Sequence, residues 1–300
     1  MKAPGITASA VRSTMKIRAL SGALLAFLLI MFGAAVSDAA ELKEDTVLAW
    51  DAYIQSINPT MAGRGTGGSA FLWVDSSPDL GRRVRRGEIL VAGHDLRSVP
   101  HGLIHHWVGA MFIPHVTLDE VIGVLDDYDH YADFYRPIVA KSKLVERTDD
   151  CEKVTLLMVQ KAFSVTGAAQ ADEEIQTIKL DADRMYSLSR SVHVQEIANY
   201  GREDQRLLPE GRGPGYVWRM FGITRIEQRD DGVYVEMETI ALSRGIPVTF
   251  RWLIKPLTEK LPRNIMFEML NDTGAAVKQA IEPVSDKNQD VVQNRVMLRK

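Results

Sequence analysis

From Glu41 to Met61 the apolar residues Val47, Trp50, Ile54, Ile57 and Met61 recur three and four positions apart. That spacing predicts an amphipathic helix, capped at Asp45 or Thr46 and broken or turned at Asn58-Pro59. Phe71-Leu72-Trp73-Val74 reads as a strand, and Arg82-Arg83-Val84-Arg85-Arg86 as a solvated turn before a strand at Glu88-Ile89-Leu90-Val91. Val99-Pro100-His101-Gly102 marks a boundary. After it the pattern becomes α+β: a strand at Ile104 to Ile113, then a helix opened by a capping box of Thr117 and Glu120 and ending near Asp129. A short element with Tyr131, Phe134 and Tyr135 stops at Pro137, and strand-like runs follow at 143–146, 154–163, 169–180 and 185–194.

The clearest local signal is a hairpin. Tyr216, Trp218, Met220, Thr224 and Ile226 alternate with Arg219, Arg225 and Glu227, and across Asp230-Asp231-Gly232 the residues Val233, Val235, Met237 and Thr239 alternate with Tyr234, Glu236 and Glu238. Period-two alternation about an Asp-Gly turn predicts one buried face carrying Trp218, Met220 and Met237, with Glu236 on the outward face. Thr249 to Ile254 predicts a further strand, and Pro262 the start of a long helix striped by Ile265, Met269, Leu270, Thr273, Val277 and Ile281. The polar tail from Asp286 adds no element.

Composition narrows the class. With 300 residues, 46% of them hydrophobic and 25% charged, the chain is too apolar for disorder. A net charge of -3 gives no support for nucleic-acid binding, and a single cysteine, Cys151, excludes an internal disulfide framework or a Cys-rich zinc site. Lys2, Arg12, Lys16 and Arg18 precede an uncharged run from Ala19 to Ser37, and small residues follow it. This is the layout of a secretory signal, with an uncleaved anchor as the alternative. The expected divisions are therefore residues 1–40 as signal or anchor, 41–98 as a helix and strand extension, 99–284 as the main domain and 285–300 as a tail. The expected location is secreted or periplasmic, or tethered to the inner membrane if the segment is retained.

No constellation of reactive side chains stands out. Gly63, Gly65 and Gly68 match G-x-G-x-x-G, but a helix precedes them where the dinucleotide fingerprint needs a strand. His105 and His106 are neighbours on a strand, so they point to opposite faces and do not ligate together; no metal and no cofactor is expected. Asp126, Asp127, Asp129 and Asp133 lack the glycine and glutamate of a calcium loop and read as a solvated helix end. Ser187, Ser189 and Ser191 share a strand face near His193 without a nucleophile elbow. The basic run at Arg82–Arg86 would suit anionic headgroups as a possible membrane-surface contact.

The order of elements resembles the START-like, or Bet v 1-like, superfamily, and within it the polyketide cyclase and coenzyme Q-binding branch. The resemblance rests on Pro114-His115-Val116-Thr117-Leu118-Asp119-Glu120-Val121, on Asp126 to Tyr131 and on Phe134-Tyr135-Arg136-Pro137. It continues through Gly215 to Arg219, Tyr234 to Glu238 and Arg251 to Pro256. It spans about residues 100–282. It implies a helix-grip fold, a curved antiparallel sheet wrapped around a long C-terminal helix, here with an extra N-terminal helical segment. It also implies a cavity between sheet and helix for a lipid, isoprenoid or polyketide-like molecule. Phe134, Trp218, Met220, Met237, Trp252 and Met269 are the expected lining, with no catalytic residue assigned. The segment Glu196 to Pro214 would then be a lid or a plain loop. Two other readings stay open: a cyclase or hydrolase in the same cavity, using His193 or Glu236, and an envelope interaction module with a closed core.

Overall fold

The computed structural model describes residues 40–62, 70–94, 96–162, 165–245 and 251–281. The glycine-rich loop, the expected signal and the polar tail all lie outside the described residues. In the unit from Glu41 onward, helices α1 (Glu44–Ala62) and α2 (Pro78–Arg85) precede strands β1 (Leu90–Gly93), β2 (Arg97–Val99) and β3 (Gly102–Pro114). Next come α3 (Leu118–Leu125), α4 (Tyr131–Phe134), β4 (Val139–Arg147), β5 (Glu152–Ala162), β6 (Val165–Lys179) and β7 (Arg184–Ala198). β8 (Arg219–Gln228), β9 (Gly232–Arg244) and α5 (Arg251–Ile281) complete the described chain. The sheet runs β1-β3-β9-β8-β7-β6-β5-β4, with β2 also on β3, and its neighbours are antiparallel.

Local chemistry sets several boundaries. The capping box closes α3 as expected: Thr117 Oγ1 accepts from the Glu120 amide at 3.4 Å, and the Glu120 carboxylate accepts from the Thr117 amide at 2.7 Å. In the β8–β9 turn the central pair is Asp230-Asp231, both at positive φ, not Asp-Gly. Gly232 is already the first strand residue; there an added Cβ would lie 2.3 Å from the Ile113 carbonyl oxygen, so close backbone approach requires the glycine.

Several expected elements differ. Phe71, Leu72 and Val74 are buried in and around a short 3-10 turn at Trp73–Ser76, not in a strand; a short apolar run without alternation does not discriminate the two. The arginine run belongs to α2, where Ser77 caps, Pro78 opens and Val84 is buried. Its cations pair with Asp79, Glu88 and Asp230. α1 continues through Asn58-Pro59 to Ala62. α3 stops at Leu125, and a 3-10 turn at Tyr128–His130 leads into α4. Arg251 to Ile254 lie in α5, which runs through Pro262 instead of starting there. A proline suits a helix start but does not require one, and an apolar run of this length fits a buried helix as well as a strand.

α5 crosses the sheet where β3 lacks a side chain. A Cβ at Gly109 would meet Leu270 Cδ1 at 2.7 Å and Met266 Cγ at 2.8 Å. Met266, Leu270, Ala276 and Val277 close there on Met111, Ile113, Ile226, Val233 and Val235. Tyr135 Oη and Thr273 Oγ1, 2.9 Å apart, tie the Tyr135 side chain to the helix. Gly109→Val is expected to cost about 1–3 kcal/mol, because the helix must lift from a filled contact; urea unfolding monitored by circular dichroism measures it.

Candidate functional site

Strand register divides the central side chains between two faces. Trp107, Gly109 and Met111 of β3 sit opposite Thr239, Met237 and Val235 of β9, which in turn face Gly222, Thr224 and Ile226 of β8. Ser189, Ser187 and Met185 of β7 continue those rows. This face looks toward α5, since Met111, Val235 and Ile226 pack against Met266 and Leu270. Among the described residues this packing is concentrated at one end. Val233 and Val235 are fully buried, whereas Met220, Gly222, Thr224 and Met237 are only half-buried and Thr239 is exposed. This part of the inward face therefore keeps accessible surface, in which Met220 and Met237 stand among Gly222, Thr224 and Thr239.

The opposite face is sealed. Ile223, Arg225, Glu236, Glu238, Ile240 and Leu242 are all buried. Phe71, Leu72, Val74 and Val84 of the N-terminal segment pack there on Ala110 and Tyr234. This overturns the expected solvent face of the hairpin: Glu236 points away from α5 but is 0% exposed. Arg225 Nη1 donates to Glu236 at 3.0 Å and to Glu238 at 2.9 Å. Glu236 also accepts from the Trp73 amide. Glu238 lies 2.7 Å from His106 Nε2, and Tyr53 of α1 lies 2.8 Å from His106 Nδ1. Alternation read the polar stripe correctly and its surroundings wrongly, because side chains from the distant N-terminal segment fold over it.

The expected lining residues divide among several surroundings. Phe134 and Met269 pack with Ile265 on Tyr135, Ile138 and Val139. Phe134 also reaches the main core group, as does Met237. Met220 packs on Ala169, Ala171 and Val194 beside Val217. Trp218 is 2% exposed, precedes β8 and leaves its indole N–H unpartnered. Its amide donates to Leu242 O while Arg219 is the residue registered with Leu242. The two-residue period thus breaks at Trp218, and Val217 instead of Trp218 shares the surroundings of Met220. Trp252 falls in α5, and its side chain lies outside the described residues.

Sequence reasoning missed a carboxyl on the inward face. Glu173 of β6 lies between Val154 of β5 and Ser191 of β7, on the face of Ala171 and Ile175. Burial pushes its carboxyl up to about 7, and a hydrogen bond with Ser189 pulls part of the way back. Tyr131 stands near it, with its hydroxyl donating to the Leu125 carbonyl and its phenol raised well above the ordinary range by burial. The available signal was parity: in Asp172-Glu173-Glu174 the middle residue shares the phase of the inward Ala171 and Ile175.

The groups named for an enzyme lie elsewhere. His193 is exposed and pairs with Glu210 at 3.1 Å, while a register step between Asp172 and Glu173 separates it from the serine row. Ser191 Oγ is engaged by the Met220 backbone. Asp127 and Asp129 pair with His130 and Lys143 at the surface. The segment after β7 folds back, with Glu196 accepting amides of Gly215 at 2.7 Å, Tyr216 at 2.5 Å and Val217 at 3.3 Å. His105, on the inward face, bonds Ser243 at 2.9 Å and is pushed down to about 4 by burial.

A strand, paired short helices, six consecutive antiparallel strands and a terminal helix laid on the sheet make up residues 102–281. The chain has a START-like, helix-grip fold. No family model and no curated protein matches it. Among solved structures it is similar to a STAR-related lipid transfer protein fragment from Xanthomonas axonopodis, at 18% identity and a TM-score of 0.44, over 62% of this chain and 99% of that one. It is also similar to the Zhui aromatase/cyclase from Streptomyces sp. R1128, at 13% and 0.41, over 61% and 98%. Human STARD10 matches at 9% and 0.38, over 70% and 82%.

Proposed function

We propose that this is an exported protein that holds a hydrophobic small molecule, of lipid, isoprenoid or polyketide-like kind, in the cleft between the sheet and α5. The observation that carries the reading is the inverted accessibility of the two faces. The outward face of the central strands is sealed, while half-buried Met220, Met237, Phe134 and Met269 leave apolar surface accessible on the inward side. Burying ligand there gains roughly 25 cal/mol per Å² of apolar area. Methionine suits contacts that adapt to ligand shape. Export rests on the basic segment and apolar run of residues 2–37.

Glu173 gives the cleft a polar point and a pH dependence. With its carboxyl raised to about 7, a large fraction is protonated at neutral pH and donates to a neutral oxygen acceptor on the ligand. Binding of such a ligand weakens as pH rises from 6 through about 8, and Glu173→Gln removes that dependence. Titration of an environment-sensitive apolar dye bearing a carbonyl measures both, and its saturable binding tests the cleft itself. Protein that leaves the dye unbound at every pH would defeat the proposal, and binding that strengthens with pH would contradict protonated Glu173 as the donor to the carbonyl.

A further inference from the structure

We propose that His94, His106 and Glu238 form a site for a divalent transition-metal ion of the zinc class, on the sealed face and apart from the cleft. One ligand atom of each lies within 4.8 Å of the others. Strand pairing carries His94 beside His106, whose carbonyl accepts the His94 amide at 2.9 Å. Two imidazoles and a carboxylate are a donor set suited to zinc, with a fourth position open on the side of the exposed His94.

The surroundings are those a bound metal needs. Tyr53 engages His106 Nδ1 at 2.8 Å, so Nε2 is held toward Glu238 Oε1 at 2.7 Å, in the way outer groups orient a ligating histidine. Arg225 holds the second oxygen of Glu238 at 2.9 Å. The same Arg225 Nη1 also bonds the neighbouring buried carboxylate, Glu236. Glu236, on the same guanidinium, moderates repulsion between Arg225 and a divalent ion beside Oε1. The His94 ring lies over His106, with centroids 4.2 Å apart and planes at 30°. Capture requires His94 to turn edge-on and the proton between His106 Nε2 and Glu238 Oε1 to leave, the two atoms parting from 2.7 Å to admit an ion at bond lengths of about 2.0–2.2 Å. Exposure leaves the His94 ring the room to do so.

The bound ion would join the end of β1 to β3 and β9 and so fasten the N-terminal segment to the sheet. The test is equilibrium dialysis of untagged, chelator-treated protein against zinc ion alone, with cobalt(II) as the visible-absorption probe. One ion per chain is expected, with a tetrahedral cobalt spectrum and a rise in Tm on metal addition. His94→Ala, which alters an exposed side chain, should weaken binding at least about tenfold with an unchanged circular dichroism spectrum, and Glu238→Gln should do the same. No binding at about 100 µM zinc, or binding equal in wild type and both variants, overturns the site.

Discussion

Arg225→Met is expected to remove about 3–5 kcal/mol of folding stability. The guanidinium is 1% exposed and is shared by Glu236 and Glu238, themselves 0% and 3% exposed. Removing it takes from two buried carboxylates the guanidinium that bridges them. The deficit should shrink in acid, because protonation of the carboxyls removes their charge. Urea unfolding at pH 7 and pH 4 reads both effects. A loss below about 1 kcal/mol at pH 7 would mean that water reaches the network and that the N-terminal segment does not seal this face. Changing Glu236 and Glu238 to leucine in the same chain should recover only part of the loss, since the Trp73 amide and His106 then lose their acceptors.

Met237→Asp is expected to weaken apolar ligand binding by at least about 100-fold, close to 2.7 kcal/mol. The residue sits at the half-buried middle of the cleft face, opposite Gly109 and Thr224. An ionised carboxylate there must be desolvated whenever an apolar ligand fills the space. Thermal unfolding checks that the variant is folded, and Met237→Leu, of similar volume, should bind within about threefold of wild type. Undiminished binding by folded Met237→Asp would move the ligand away from this strand.

The two predictions bear on opposite faces of one hairpin, which was only half legible in the sequence. Alternation placed Met237, Val235 and Ile226 on one side and Arg225, Glu236 and Glu238 on the other, and the register agrees. What lies against each side is set by residues far away in the chain, and no local period encodes it. Trp73, 163 positions from Glu236, supplies an amide to its carboxylate. Period two failed at Trp218, where a register step intervenes. Thr117 and Glu120 were readable because a capping box is chemistry within four residues. Glu173 was present in the parity of its strand, but three consecutive acidic residues mask that parity. The first turns of α5 read as a strand because Trp252-Leu253-Ile254 is apolar without a diagnostic period.

Native mass spectrometry of the chain produced with residues 1–40 in place, followed by organic extraction, tests the central claim most directly. The expected species is a polypeptide lacking roughly its first 40 residues and carrying an apolar molecule near one per chain. That molecule should be lost from folded Met237→Asp. A folded, empty chain that stays empty with lipid and isoprenoid mixtures would contradict it and leave a closed module that binds through its surface.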